Sequence, residues 1–263
     1  MASIPGGQFT FSAAHQPVNV VVAASGAALP PPIPGDFNLD VITSPIGTSY
    51  PLPPGYQGVA LLSQGGHELD MLRGSYSVAV TGSGDTVQGG TGNDTIIGGT
   101  GPELIYGGHG NDLISGGTGP DTIYGGAGND TIHGATGPEL IHGGTGNDLI
   151  SGGTGPDTIY GGAGNDTIQG GTGPDTIAAG PSHNDIYTGT GPDLVQDTGP
   201  GGHDTVFGFG HNDHISFVGE DPNSIQHVIA TAQEHNGNMT VTLPDGSSIT
   251  LVGITHINGG FFH

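Results

Sequence analysis

From Val87 onward an aliphatic residue returns at every ninth position: Val87, Ile96, Ile105, Ile114, Ile123, Ile132, Ile141, Ile150, Ile159, Ile168 and Ile177. Two positions before each stands an acid, at Asp85, Asp94, Glu103, Asp112, Asp121, Asp130, Glu139, Asp148, Asp157, Asp166 and Asp175. Written out, the phrase is Gly-Gly-x-Gly-x-Asp-x-Ile-x, and it runs unbroken through residues 89–178. A fixed short period of this kind means one small unit stacked many times, because a single unit cannot bury its own apolar face. The glycine-rich start of the phrase suits a tight turn. Its last three residues, such as Thr-Ile-Tyr or Leu-Ile-Ser, suit a short strand whose middle Ile points inward and whose neighbours point out.

The residue before the acid alternates between Asn (Asn93, Asn111, Asn129, Asn147, Asn165) and Pro (Pro102, Pro120, Pro138, Pro156, Pro174), so the true repeat is eighteen residues. Two half-turns per coil predict a flattened all-β solenoid with two parallel sheets, one edge lined by Asn-type turns and the other by Pro-type turns. Segments 98–133 and 134–169 differ only at Gly99/Ala135, Tyr106/His142, His109/Thr145 and His133/Gln169, the mark of a duplicated block.

Stacked in this way, each edge carries a row of carboxylates about 4.8 Å apart. A like-charge pair at that spacing costs about 1 kcal/mol in bulk water and roughly 3–4 kcal/mol at an effective dielectric near 20. One aliphatic side chain per half-coil contributes only about 1.5–3 kcal/mol of burial, against roughly 1–2 kcal/mol of ordering cost for each residue. A hard dication between turns removes the repulsion and supplies the missing stability. Calcium suits flexible turns that offer carboxylate and carbonyl oxygens, and its binding is then coupled to folding.

The phrase resembles the calcium-binding nonapeptide of RTX (repeats-in-toxin) proteins, through ten consecutive copies that cover about a third of the chain. The resemblance implies a right-handed parallel β-roll, multiple Ca2+ ions held between turns by the acids and nearby carbonyls, and type I secretion through an uncleaved C-terminal signal. Glu103 and Glu139 depart from the aspartate pattern, and their extra methylene is expected to weaken those sites.

After residue 178 the acid spacing loosens, through Asp185, Asp193, Asp204 and Asp213, which are kept as further candidate ligands. The expected organisation is a β-rich N-terminal region over 1–80, a calcium-binding roll over 81–213 and a small C-terminal cap with the secretion signal over 214–263. In the first region, strand-like runs fall at Gln8–Ala13, Val18–Ala24, Phe37–Thr43, Gly58–Ser63 and Tyr76–Thr81. This region either caps the open solenoid or pairs with a neighbouring subunit. In the last region, Ser224 is placed to cap a short helix carrying Ile225, Val228, Ile229 and Ala232, and Pro244-Asp245-Gly246 signals a hairpin.

Composition narrows the function classes. The formal charge of −23, with one Lys or Arg in all, excludes a nucleic-acid partner, which needs a basic patch. No apolar run is long enough for a membrane span, and Met1 to Ser25 lack the positive start of a cleaved signal peptide. The absence of Cys leaves calcium as the substitute for disulfides in an oxidising compartment. No nucleophile elbow, His-Glu-x-x-His or phosphate loop occurs, and the 80 residues before the roll are too few for a catalytic domain, so an enzyme is not expected. His203, His211 and His214 read as turn histidines. The expected function is an extracellular, calcium-folded structural protein, a homopolymer joined through its terminal β regions into a fibre, matrix or surface layer. The alternatives are a monomeric adhesin or ligand-binding module, with cell surface or extracellular polysaccharide as partner, and an accessory module of a secreted enzyme.

Overall fold

The computed structural model describes residues 8–13, 16–23, 37–42, 49–51, 58–61, 68–70, 75, 77–80, 82–197, 202–217, 229–243, 245–257 and 259–262. It is a parallel β-solenoid, with strands placed alternately in two sheets. Among the described residues the first sheet has fifteen strands and the second has ten. The coils stack with each repeat position over its own copy: Ile105 faces Ile123 and Ile123 faces Ile141 in the second sheet, while Ile114 faces Ile132 and Ile132 faces Ile150 in the first. These isoleucines are fully buried in a core only one side chain deep from each sheet.

The strands are longer than the phrase predicts. Leu104–His109, Leu113–Thr118 and Thr122–Ala127 each include the Gly-Gly pair expected in the turn, and Thr131–Thr136 includes Gly134-Ala135 in its place, so the turn shrinks to Gly-Asn-Asp, Gly-Pro-Asp or Gly-Pro-Glu. The coil-to-coil ladder overrides glycine's poor strand propensity. The His109 amide donates to Gly90 O at 2.8 Å and the Gly110 amide to Ala127 O at 2.8 Å, so pairing continues through the glycines. The second glycine of the pair is demanded by backbone angle: Gly117 has φ 109°, a region L side chains rarely adopt. Ala135, which pairs with Gly117 in the next coil, occupies the same position at φ 85°.

Parallel pairing extends upstream of the nonapeptides. Val78 pairs with Ile96, Val59 with Val78, Val41 with Ala60 and Val22 with Val41, an offset of nineteen residues in the last three pairs. The strands Gln16–Ala23, Phe37–Ile42, Gly58–Leu61 and Ser77–Val80 match the expected runs and belong to the first sheet. Ser49–Pro51 and Glu68–Asp70, unforeseen, are the upstream strands of the second sheet. At the far N-terminal end Gln8–Ala13 folds back antiparallel on Gln16–Ala23.

At the C-terminal end Ser248–Leu251 joins His203–Phe207 in parallel and turns antiparallel to Asn238–Thr242, the expected hairpin. Met239, Val241, Ile249, Leu251 and Phe262 bury against the last coils. Of the helix expected after Ser224, only residues 229–231 are both helical and described; Ser224, Ile225 and Val228 lie outside the described residues, while Ile229 and Ala232 pack on the core. Among the described residues no helix is long and apolar enough to cross a membrane.

Outward side chains form columns as well. Tyr106, Tyr124, His142 and Tyr160 stack ring on ring along the second sheet, with centroids 5.0, 4.8 and 4.7 Å apart. Burial within that stack holds His142 below its usual pKa.

Candidate metal centre

The acids form two buried ladders, one along each edge. On the Asn edge the Asp94 amide donates to Asp112 Oδ1 at 2.8 Å, Asp112 to Asp130 at 2.8 Å, Asp130 to Asp148 at 2.8 Å and Asp148 to Asp166 at 2.9 Å. Each carboxylate thus spends one oxygen on the backbone of the coil before it. A parallel, exposed ladder runs beside it, in which the Asn111 amide donates to Asn93 Oδ1, Asn129 to Asn111, Asn147 to Asn129 and Asn165 to Asn147. The Pro edge needs no such acceptor, because proline has no N–H.

On the Pro edge the Asp157 amide donates to Asp175 Oδ1, Asp175 to Asp193 and Asp193 to Asp213, at 2.9, 2.9 and 3.0 Å. Here the glutamates break the pattern. Glu103 and Glu139 donate their amides to Asp121 and Asp157, both at 2.9 Å, but their own carboxyls accept no amide from the coil before them.

The nonapeptide acids from Asp85 to Asp175, and Asp193 and Asp213, are all at most 3 % exposed. Asp204 is buried at the Asn edge. Asp185 is not in the ladder: it is exposed and pairs with Thr167, outside the acid row. The slot nine residues after Asp175 belongs to Asn184, whose Oδ1 accepts the Asp166 amide at 2.9 Å and whose amide nitrogen donates to Asp204 Oδ1 at 3.0 Å. Counting positions from Asp175 instead of counting acids finds it. Asp213 has both oxygens engaged, by the Asp193 and Gly210 amides. His203 bonds Ser248 Oγ through Nδ1 at 2.8 Å.

Burial dominates the electrostatics. It raises Asp130 to about 6, and Asp166 and Asp175 to about 7, with neighbouring acids adding to the rise and amide donors opposing it. Asp112, Asp121, Asp148, Asp157 and Asp193 are raised for the same first reason. Glu103 and Glu139 are driven up by burial and then by the facing carboxyls of Asp121 and Asp157. A chain with a single Lys or Arg has no cations of its own to spread along two ladders.

Three observations fit calcium to this arrangement. The second oxygen of Asp112, Asp121, Asp130, Asp148, Asp157, Asp166, Asp175 and Asp193 is buried without a donor, the condition a cation relieves. Main-chain oxygens converge on the same places: a Cβ on Gly125 would sit 2.5 Å from Gly143 O and 2.6 Å from Asp130 Oδ2, and one on Gly161 would sit 2.5 Å from Ala179 O and 2.6 Å from Asp166 Oδ2. The donors are hard oxygens with no sulfur or imidazole among them, as calcium prefers. No three His, Asp or Glu side chains converge among the described residues, so carbonyl oxygens must complete each coordination shell.

The RTX calcium-binding nonapeptide repeat (4 copies) matches residues 81–113, 106–138, 133–168, 142–177, 160–195 and 199–217, about half of the chain. The protein belongs to this family of calcium-binding β-roll repeats, and calcium is its cofactor. No curated protein matches the sequence significantly. Among solved structures, the extracellular lipase LipA from Serratia marcescens is similar at 18% identity and a TM-score of 0.34, over 65% of this chain and 40% of the lipase chain.

Proposed function

We propose that this protein is an extracellular structural element: a rod that folds when calcium fills its two edges and that assembles with copies of itself into a fibre, matrix or surface layer. The observation that carries the reading is the pair of buried carboxylate ladders in a chain without compensating cations. Burial of that many charges tolerates neither bare solvent nor an apolar interior. The ligands are the donor-free oxygens of the ladder acids with the carbonyls facing them, and the ion supplies neutralisation and cross-linking of successive coils. Weak, multi-site calcium modules operate at extracellular calcium concentrations, and so the rod is compact outside the cell and unfolded where calcium is scarce.

Support for assembly comes from the sheet ends. The fifteen-stranded sheet starts at Gln8–Ala13 and finishes at Gln233–His235, and each terminal strand is paired on one side only among the described residues. Such edges template further pairing. The stacked ring column on the second sheet favours a second reading, a monomeric ligand-binding module.

Negative-stain electron microscopy and far-ultraviolet circular dichroism, each with calcium and with excess chelator, test both parts. Filaments that need calcium support the assembling rod. Isolated rods that need calcium leave the folding mechanism and transfer the function to the ring column. Full β-structure in chelator refutes the coupling of folding to calcium.

A further inference from the structure

Glu103 and Glu139 differ from the rest of the ladder in more than side-chain length. Both are only 3 % exposed, and neither carboxyl takes the amide of the coil before it, as the aspartates do. At an aspartate coil one oxygen accepts the amide of the coil before and the other faces a glycine α-carbon. At Glu139 the extra methylene fills that space: Cγ is 2.9 Å and Oε2 3.1 Å from the Cβ position of Gly134, while Oε1 has moved on to within 2.9 Å of that of Gly137. The displaced carboxyl confronts the acid of the next coil, Glu139 against Asp157 and Glu103 against Asp121. Those aspartates hold Oδ1 on the glutamate's own amide and leave Oδ2 buried without a donor.

Resting on the reading that the ladders hold calcium, we infer that Glu103 with Asp121, and Glu139 with Asp157, form two double-carboxylate cation sites on the Pro edge that bind more tightly than the aspartate-only coils. Each pair gathers three buried carboxylate oxygens that take no amide of a neighbouring coil, where two stacked aspartates offer two. Calcium affinity is tuned by the ligand oxygens a site offers and by its rigidity, and the amide bond from each glutamate's N–H to the facing aspartate holds the two coils in register. The two sites lie two coils apart, at equivalent places in the duplicated blocks. They fill first and fix the stacking of the coils between them, after which the weaker sites close.

Calcium titration of the full chain by calorimetry, with terbium(III) as a tyrosine-sensitised luminescent probe, tests this. The wild type shows two tight ions per chain and a larger, weaker class. The double variant Glu103→Asp/Glu139→Asp gives both slots the pattern of their neighbours, so it keeps its dichroism at saturating calcium but loses the tight class, by at least about tenfold in affinity. Each single change to Gln removes one tight ion. A single class of sites in the wild type, or a tight class that survives the double Asp variant, overturns the inference while leaving calcium-coupled folding in place. A wild-type chain that takes up no calcium overturns both.

Discussion

Asp130 performs two tasks, and two substitutions separate them. Its Oδ1 accepts the Asp112 amide at 2.8 Å, and its Oδ2 is buried without a donor. Asp130→Asn keeps the acceptor and deletes the charge; Asp130→Ala deletes both. The chain contains its own precedent in Asn184, which accepts the Asp166 amide at 2.9 Å in the equivalent slot. Stranding the buried Asp112 N–H costs about 1–3 kcal/mol. In saturating calcium, where both variants lack the same ligand charge, Asp130→Ala is therefore less stable than Asp130→Asn by that amount in urea unfolding followed by circular dichroism.

Without calcium the charge itself is the liability. Burial raises Asp130 to about 6 in the folded chain, above its unfolded value of about 4. A raised folded pKa stabilises the roll fully below the unfolded value, and that contribution is lost as pH rises through about 6. Above that pH the charged side chain costs the metal-free roll about 1–2 kcal/mol, allowing for solvent screening at a turn. Asp130→Asn accordingly lets the chelated chain acquire β-structure at higher pH than the wild type, yet makes it need more calcium to fold at neutral pH. Equal stability of the Asn and Ala variants in calcium would refute the amide bond's contribution. An unchanged calcium requirement in Asp130→Asn would refute the carboxylate as a ligand.

Other outcomes follow from the same geometry. Ala135 holds φ 85° where its counterparts are glycine, and Ala135→Gly stabilises the calcium-loaded roll by about 1 kcal/mol, seen as a higher thermal midpoint. Asn147→Ala removes the acceptor of the Asn165 amide at 2.7 Å, but that ladder is exposed and water replaces it, so the loss is below about 1 kcal/mol, smaller than that of Asp130→Ala. Asp166 and Asp175 stand at about 7 in the metal-free fold, so the chelated chain gains far-ultraviolet β signal as pH falls from about 7 toward 4. The same acidification drives calcium off the loaded protein, read by an ion-selective electrode.

The two-sheet solenoid was legible because its core is one residue deep: a lone Ile every nine residues has nowhere to be buried except against its own copies, and Ile123 does lie between Ile105 and Ile141. Strand length was not legible. Gly107 and Gly108 have the propensity of a turn, and only the ladder to the neighbouring coil makes them strand. The upstream strands Ser49–Pro51 and Glu68–Asp70 leave no mark in the sequence pattern, because they are three residues long and carry no Gly-Asp phrase. Asp185 stands one position past the repeat, and the fold, which follows position and not residue type, puts Asn184 in the slot.

The glutamates set a reading along the chain against one made across the stack. Along the chain, Glu139 is an aspartate with one methylene too many, which predicts a poorer ligand. Across the stack, that methylene carries the carboxyl past the Gly134 α-carbon and toward Asp157. The carboxyl facing it is eighteen residues away, and so are the partners of Asp130 and Asn147. The Asn and Pro alternation obeys the same logic. The Asn165 N–H is satisfied by Asn147 Oδ1 from the coil before it, whereas Pro156 and Pro174 have no N–H that needs satisfying. Each turn residue is thus chosen by the coil beneath it, and a substitution is best judged by the column it interrupts.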